Sequence, residues 1–429
     1  MALEDYREEM ERCCRCSACK FIPMDIVDSY EYVTVCPSIA RYNFHAYSGG
    51  GRLNVALGML DGRVPYSEEV LNIIYRCQMC GACDISCKYN RDMEPLETLY
   101  ALRIRAVEEG QLLPDHLAII EGLRKEDNMV QGLKADRGKW AEGLDVKNIS
   151  KEKTEVLFHA GCRYSFDQEL WPLARAAINL IKKAGIDVGI AGREEVCCGG
   201  RAYAMGYEGE LIKYAEHNGE IFKQAGAKTL VTCCADGYQA FKVMYDKVGK
   251  KLDLQVFHIS EYLDLLIKQG NLKPTKKGPM VVTYHDPCHL GRLAESYIHW
   301  KGELKIEPDK PILHVPPKKF RRGHEGVYEP PRNILRNIPG LRFVEMKRIK
   351  EHAWCCGAGG GVLEAYPDFA IWSALQRIEE AECTGAEAIV TACPWCKKNF
   401  SDAIKQNGNR IKVYDLIELL ATSTDAELK

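Results

Sequence analysis

The sequence predicts a multidomain α+β protein, with an α-helical N-terminal domain followed by two copies of one α/β unit. Three observations carry this. Residues 1–150 hold two groups of cysteines and then apolar residues at helical spacing; from Thr154 onward short apolar strands alternate with amphipathic helices; and that alternation runs through the same order twice. A chain of 429 residues also exceeds what one hydrophobic core supports. Domains are therefore drawn at 1–150, 151–275 and 276–429.

In the first domain Leu99, Leu102 and Ala106, then Leu117, Ile120 and Leu123, recur every three to four residues, the period of a helix with one buried face. The charged, glycine-containing stretch 132–150 reads as a loose connector. Beyond it, Val156-Leu157-Phe158 reads as a strand. A helix is predicted over Trp171 to Ala184, with Pro172 in its first turn and Gly185 at its stop. Leu230-Val231-Thr232 gives another strand and Glu261 to Lys268 another helix.

The repeat is read residue by residue. Phe158-His159-Ala160-Gly161-Cys162 matches Tyr284-His285-Asp286-Pro287-Cys288, and Cys197-Cys198-Gly199-Gly200 matches Cys355-Cys356-Gly357-Ala358. Gly226-Ala227 with Val231-Thr232 corresponds to Gly385-Ala386 with Val390-Thr391, and Val256 with Glu261 to Val413 with Glu418. The copies differ in one spacing, 34 residues between Cys162 and Cys197 against 66 between Cys288 and Cys355. The extra residues fall at about Ser296 to Glu325, which reads either as a solvated loop or as a partner-docking arm.

With 46% hydrophobic and 28% charged residues the composition is that of a globular protein, and a net charge of −2 gives no electrostatic case for nucleic acid. No apolar leader opens the chain and no run of 18 apolar residues crosses a membrane, so the expectation is a cytoplasmic protein whose only membrane link is through a partner. Twenty cysteines in such a chain point to metal or redox work rather than disulfides.

Cys77, Cys80, Cys83 and Cys87 have the ferredoxin spacing C-x2-C-x2-C-x3-C, without its following proline. Cys13, Cys16 and Cys19 form a second triplet whose fourth member is displaced to Cys36, which does precede Pro37. In two-cluster ferredoxins the last cysteine of each run ligates the opposite cluster. Cys13, Cys16, Cys19 and Cys87 would then hold one cubane 4Fe-4S cluster, and Cys36, Cys77, Cys80 and Cys83 the other. Structural zinc prefers two paired CxxC knuckles, so zinc fits the triplets poorly. Cys14 is left spare, and Gly49-Gly50-Gly51-Arg52 reads as a flexible turn near a cluster.

Cys288, Cys355-Cys356-Gly357 and Cys393-Pro394-Trp395-Cys396 form a five-cysteine constellation, in which an adjacent cysteine pair suggests an iron site larger than a cubane. These residues, with Val327-Tyr328-Glu329-Pro330-Pro331-Arg332 and Gly357-Ala358-Gly359-Gly360-Gly361, resemble the cysteine-rich CCG domains of heterodisulfide reductase. The N-terminal part resembles that enzyme's two-cluster subunit, which makes it a ferredoxin-like domain. Iron-sulfur subunits of glycolate and lactate oxidases are also similar. The resemblance implies a noncubane 4Fe-4S cluster on Cys288, Cys355, Cys356, Cys393 and Cys396, able to split a disulfide by one-electron steps.

The first copy departs from the pattern. Cys162, Cys197, Cys198 and Cys234 match ligands, but Gly237 stands where Cys396 would be, and Cys233 is a candidate substitute. A cubane, a modified noncubane cluster and no cluster all stay open there. His285, His289 and His352 flank the complete set, either as proton donors or as hydrogen-bonding neighbours, and the match of His159 with His285 favours a shared structural role. The run Gly357 to Gly361 reads as a tight turn over the cluster.

Together these readings imply an oxidoreductase subunit that passes electrons between two cubanes and a noncubane site, with a disulfide or thiol as a terminal substrate. The alternative is a relay in a flavin-dependent 2-hydroxyacid oxidase or an electron-bifurcating complex such as class II benzoyl-CoA reductase. A zinc-bound scaffold is the third reading. Flavoprotein or iron-sulfur partner subunits would supply the remaining cofactors.

Overall fold

The structure is a computed structural model that describes residues 1–309 and 313–426. Residues 310–312 of the insertion, and the last three residues of the third domain, lie outside the described residues.

Short helices build the N-terminal domain: Arg7–Glu11, Pro37–Tyr42, Gly49–Leu60, Glu68–Tyr75, Ala82–Cys87, Pro95–Glu108 and Pro114–Glu126. Proline opens three of them, where its missing N–H costs nothing. Pro95–Glu108 is buried along most of its length, including Glu97 and Arg103, because later domains cover the faces its own domain leaves open. The Tyr100 and Tyr203 rings lie 5.0 Å apart across that contact, and Lys247 bonds Glu97.

The first α/β unit is a parallel five-stranded sheet of β1 (Lys147–Asn148), β2 (Val156–His159), β3 (Val188–Ile190), β4 (Thr229–Thr232) and β5 (Gln255–His258), in the order β1-β3-β2-β4-β5. The second contains β6 (Val281–His285), a separate hairpin of β7 (Glu303–Lys305) and β8 (Leu313–Val315), then β9 (Arg342–Val344), β10 (Ala388–Thr391) and β11 (Lys412–Asp415). Its sheet runs β9-β6-β10-β11, also parallel, so β2, β3, β4 and β5 are repeated by β6, β9, β10 and β11 in the same spatial order. Register repeats as well: Thr232 faces His159 and His258, and Thr391 faces His285 and Asp415. The central strands β2 and β10 are buried along their length because helices cover both faces.

The two units meet by reciprocal contacts. Helix Trp171–Lys183 of the first packs on Leu416–Ser423 of the second, and Ile259–Lys268 of the first packs on Glu329–Asn337 of the second. Each contact joins the first long helix of one unit to the last helix of the other, the self-complementary pattern of a two-fold interface within one chain.

Three expectations are corrected. The stretch 132–150 is no loose connector: β1 joins the first sheet, Trp140 is buried, and Arg137 is buried beside Cys162. Gly49-Gly50-Gly51 is the first turn of a helix capped by Ser48, whose hydroxyl accepts from the Gly51 N–H. The insertion is held by ion pairs to the N-terminal domain, Arg321 to Asp84 and Glu97 at 2.5 and 2.9 Å and Arg322 to Asp92 at 3.1 Å. Its base is thus an intramolecular strap rather than a free loop.

Candidate metal centres

One cavity is lined by Cys13, Cys16, Cys19 and Cys87, the four cysteines that the interchanged pairing of the two runs groups together. The helix starting at Gly49 closes it. Gly50 donates its N–H to Cys19 Sγ at 3.3 Å, and a Cβ at Gly50 would stand 3.2 Å from Cys13 Sγ, so glycine leaves the room that inorganic sulfide needs. Gly49 is tighter, with a Cβ 2.8 Å from that of Cys83. Cys16 is exposed and so is the spare Cys14, which accepts a hydrogen bond from Arg91 Nε at 3.0 Å.

The second N-terminal group is deeper. Cys36, Cys77, Cys80 and Cys83 are electrostatic neighbours of one another. Burial pushes the Cys36 thiol up to about 12 and also raises Cys83 well above the ordinary thiol range. Burial there disfavours a bare thiolate, so these cysteines would ionise only with a bound cation to offset the charge.

The third group sits where the fold predicts a ligand. In both sheets the chain order reverses between β2 and β4, or β6 and β10, and in open α/β sheets ligands bind outside the carboxyl ends of strands at such a point. Cys288 follows β6, and Cys393 follows β10. Cys356 and Cys396 bring their sulfurs to 3.1 Å, and Cys355 shares hydrogen bonds with both Cys288 and Cys356, so all five cysteines of the constellation converge. Cys288 is lowered to about 7, chiefly by its hydrogen bond with Cys355.

The second and third groups touch. Cys80 hydrogen-bonds with Cys355, the main reason its thiol falls to about 5, and Arg292 adds to the effect. Arg292 binds the Cys80 carbonyl at 2.6 Å and the carbonyls of Glu351 and Ala353 at 2.8 and 2.7 Å. Gly360, in a left-handed conformation with φ of 61°, lets the glycine run approach the Cys77 carbonyl, which a Cβ would meet at 2.6 Å. The expected turn is therefore also the seam between the domains.

In the first unit Cys162, Cys197 and Cys198 form a hydrogen-bonded series, and Cys234 reaches across the interface to Cys393 of the second. Cys233 turns elsewhere, towards Asp415 and Glu195. Glu195 accepts from the Ala160 and Gly161 N–H groups at 2.9 and 3.0 Å and pairs with Arg137 at 3.1 Å, and Arg137 Nη2 lies 3.9 Å from Cys162 Sγ.

Around the complete set the histidines diverge. His285 and His159 share one structural feature, each ring standing edge-on to a phenylalanine at 4.8 Å, Phe400 and Phe241 respectively. Of these two, His285 alone reaches a cysteine of its set, Cys356. His289 lies 3.3 Å from Asp236 of the first unit; burial opposes its charge, but Asp236 and Cys288 outweigh burial and hold it up at about 10. His352 instead meets the Tyr89 hydroxyl at 3.1 Å. Sequence reasoning missed Asp236 and Arg201. Both line the pocket at Cys288, Cys393 and Cys396, and Arg201 stacks over the Trp395 ring at 3.8 Å while pairing with Asp236 and Glu364. Their only sequence signal was the alignment of the copies, which sets Asp236 opposite Trp395.

Comparison with known proteins identifies the domains that carry most of these cysteines. A 4Fe-4S dicluster domain matches residues 9–90, and a cysteine-rich CCG domain matches residues 156–242 and again 312–401. The dihydromethanophenazine:CoB--CoM heterodisulfide reductase of Methanosarcina mazei has a subunit that is 32% identical over 379 residues, 85% of this chain and 82% of that protein. Its counterpart in the same enzyme of Methanosarcina acetivorans is 31% identical over 96% of this chain and 93% of its own length. The EtfAB:quinone oxidoreductase of Syntrophomonas wolfei is 31% identical over 67% of this chain and 37% of that protein. A crystal structure of a hypothetical protein from Helicobacter pylori shares the fold, with a TM-score of 0.52 at 11% identity over 88% of this chain and 68% of that one. Among the described residues no helix is long and apolar enough to cross a membrane. The chain belongs to the family of these heterodisulfide reductase subunits, and is an iron-sulfur oxidoreductase subunit with a 4Fe-4S dicluster domain and two CCG domains.

Proposed function

We propose that this subunit carries electrons through two cubane clusters, on Cys13/Cys16/Cys19/Cys87 and on Cys36/Cys77/Cys80/Cys83, to a noncubane cluster on Cys288, Cys355, Cys356, Cys393 and Cys396. The observation that carries the proposal is the Cys80–Cys355 contact, which leaves no protein layer between the second and third groups. Bound clusters supply one-electron carriers whose potentials follow burial and hydrogen bonding to sulfur. The chain does the rest. Exposed Cys16 opens the first group to a flavoprotein or iron-sulfur partner, burial of Cys80 and Cys83 sets the second deeper, and Arg292 braces the second against the third. Any membrane contact comes through a partner subunit.

The names of the Methanosarcina relatives support reduction of a disulfide or thiol-type substrate at the third group. There His289, held protonated by Asp236, stands beside the Cys288 sulfur, where it can hydrogen-bond a departing thiolate. A relay without turnover of its own is the second reading. It is favoured by the near-complete burial of Cys355, Cys356, Cys393 and Cys396 and by the quinone oxidoreductase relative.

Two measurements test this on oxygen-free, full-length protein. Iron and acid-labile sulfide should match three or more four-iron clusters, with Cys36→Ser removing one cubane EPR signal and Cys288→Ser the noncubane one; zinc alone would end the proposal. With reduced viologen as donor, consumption of a mixed disulfide marks a catalytic site, and its absence from fully loaded protein marks a relay.

A further inference from the structure

Nine arginines are buried among the described residues, and they divide into two kinds. Arg137, Arg201, Arg321, Arg332, Arg348 and Arg377 each face a carboxylate. Arg52, Arg103 and Arg292 have no ion-pair partner among the described residues. They bind backbone carbonyls instead. Arg103 takes those of Ala204 and Gly360 at 2.7 Å each, Cys77 at 2.8 Å, Ile74 at 3.1 Å and Tyr75 at 3.2 Å, gathering all three domains around one guanidinium. Arg52 takes those of Ile73 and Arg76 at 2.7 Å each, together with Tyr47. Arg292 takes Cys80, Glu351 and Ala353.

All three converge on one place. Arg52 is bound to the residue before Cys77 and faces Cys36, Arg103 is bound to Cys77, and Arg292 to Cys80. Arg103 Nε and Arg292 Nη2 are buried donors with no acceptor among the described residues. Three permanent charges taken out of water with no carboxylate beside them would cost far more than carbonyl dipoles return. A cluster held by the four thiolates would supply a balancing negative charge, and its sulfides would offer acceptors to the two idle donors. The first group has no such surroundings: Arg15 and Arg91 beside it are exposed, so solvent and salt screen them.

We infer that Arg52, Arg103 and Arg292 form a cationic cage that keeps the buried second cubane reducible, by offsetting the charge each incoming electron adds. The inference rests on the proposed Cys36/Cys77/Cys80/Cys83 assignment and deepens it. Burial alone drives a cluster's potential down, because the reduced form carries the larger negative charge. Fixed cations in the same dry region act in the opposite sense and are hardly screened. The cage therefore lets an electron step inward from the exposed first cubane instead of stalling there.

The test is an EPR-monitored redox titration of the oxygen-free full chain, with Cys36→Ser identifying the second cubane's signal. Arg103→Gln should cut the reduced-to-oxidised ratio of that signal at fixed potential by at least about tenfold, which is about 59 mV for a one-electron couple. The first cubane's midpoint should stay put, and Arg103→Lys should restore the second. Arg52→Gln and Arg292→Gln lie on other elements and carry the same expectation should Arg103→Gln fail to load. Two cubane signals with unmoved midpoints in these variants would overturn the cage alone. A wild type lacking two cubane signals would overturn the ligand assignment and the cage with it.

Discussion

The two α/β units are one fold put to two uses. Strand order, register and the histidine set edge-on to phenylalanine are the same in both, so the backbone offers each a ligand site at the same place. What differs is what closes the loop after the first strand. In the second unit Asp286, inside that loop, pairs with Arg332 at 2.7 and 2.9 Å and accepts from the Lys350 N–H. In the first the loop residue is Ala160, and Glu195 reaches in from the cysteine-pair segment to do the same work with Arg137. The second unit keeps five cysteines and faces the N-terminal clusters through Cys355. The first keeps four matched cysteines, and Cys162 has a guanidinium beside it. A buried carboxylate–arginine pair is thus the constant of this fold, and the ligand set is what varies.

The largest effect that would break the comparison is loss of one unit's cluster without the other's. Cys396→Ser should abolish the noncubane EPR signal while both cubane signals persist. Cys162→Ser, the change at the first unit's leading cysteine, should leave the noncubane signal intact. If Cys162→Ser removes that signal, the two sets are one site and the division drawn here is wrong.

Next in size is the carboxylate of the first unit. Glu195→Gln leaves Arg137 buried without its counter-charge and deprives one of the two loop N–H groups of its acceptor. Breaking a buried pair from one side costs about 3–5 kcal/mol, read as a fall in the urea midpoint of oxygen-free protein. An unchanged midpoint would show that the pair does not hold the loop.

Much of this was legible in the chain. The repeat was readable because cysteines, glycines and a capping glutamate recur in one order, and strand order in the folded units follows that alignment. The cysteine groups were readable because thiolate spacing is set by the cluster rather than by the fold around it. Long-range electrostatics was not. Arg52, Arg103 and Arg292 stand in helical or loop sequence with nothing local to mark them, and their meaning appears only once carbonyls from three domains surround them. A backbone hydrogen bond from Arg321 to Glu94 and an ion pair from Arg321 to Asp84, spanning 227 and 237 residues, fix the insertion, and a charged loop carries no sign of which surface it will meet. The 132–150 stretch misled for a related reason: glycine and charge suggest a linker, but Trp140 and Arg137 are buried by a sheet that forms later in the chain.

The smallest prediction concerns a position the two units fill with opposite chemistry. His258 and Asp415 are equivalent, each capping the last helix of its unit with a glutamate three residues on, and each wholly buried. Burial lowers His258 to about 4 and raises Asp415 to about 6, so between pH 4 and 6 both are neutral. For His258 the unfolded chain binds a proton near 6.5 that the folded one refuses, so its contribution is intact above pH 6.5 and is lost as pH falls towards 4. For Asp415 the folded chain keeps a proton that the unfolded one releases near 3.8, so its contribution is intact below that and is lost as pH rises towards 6. Between pH 4 and 6 the two slopes oppose, each at most about 1.4 kcal/mol per pH unit. Relative to wild type, His258→Asn should therefore lose stability as pH rises through that window, and Asp415→Asn should gain it. Parallel urea midpoints for both variants across pH 4 to 6 would mean that neither group is held neutral, and that the matched capping position does not carry the matched constraint.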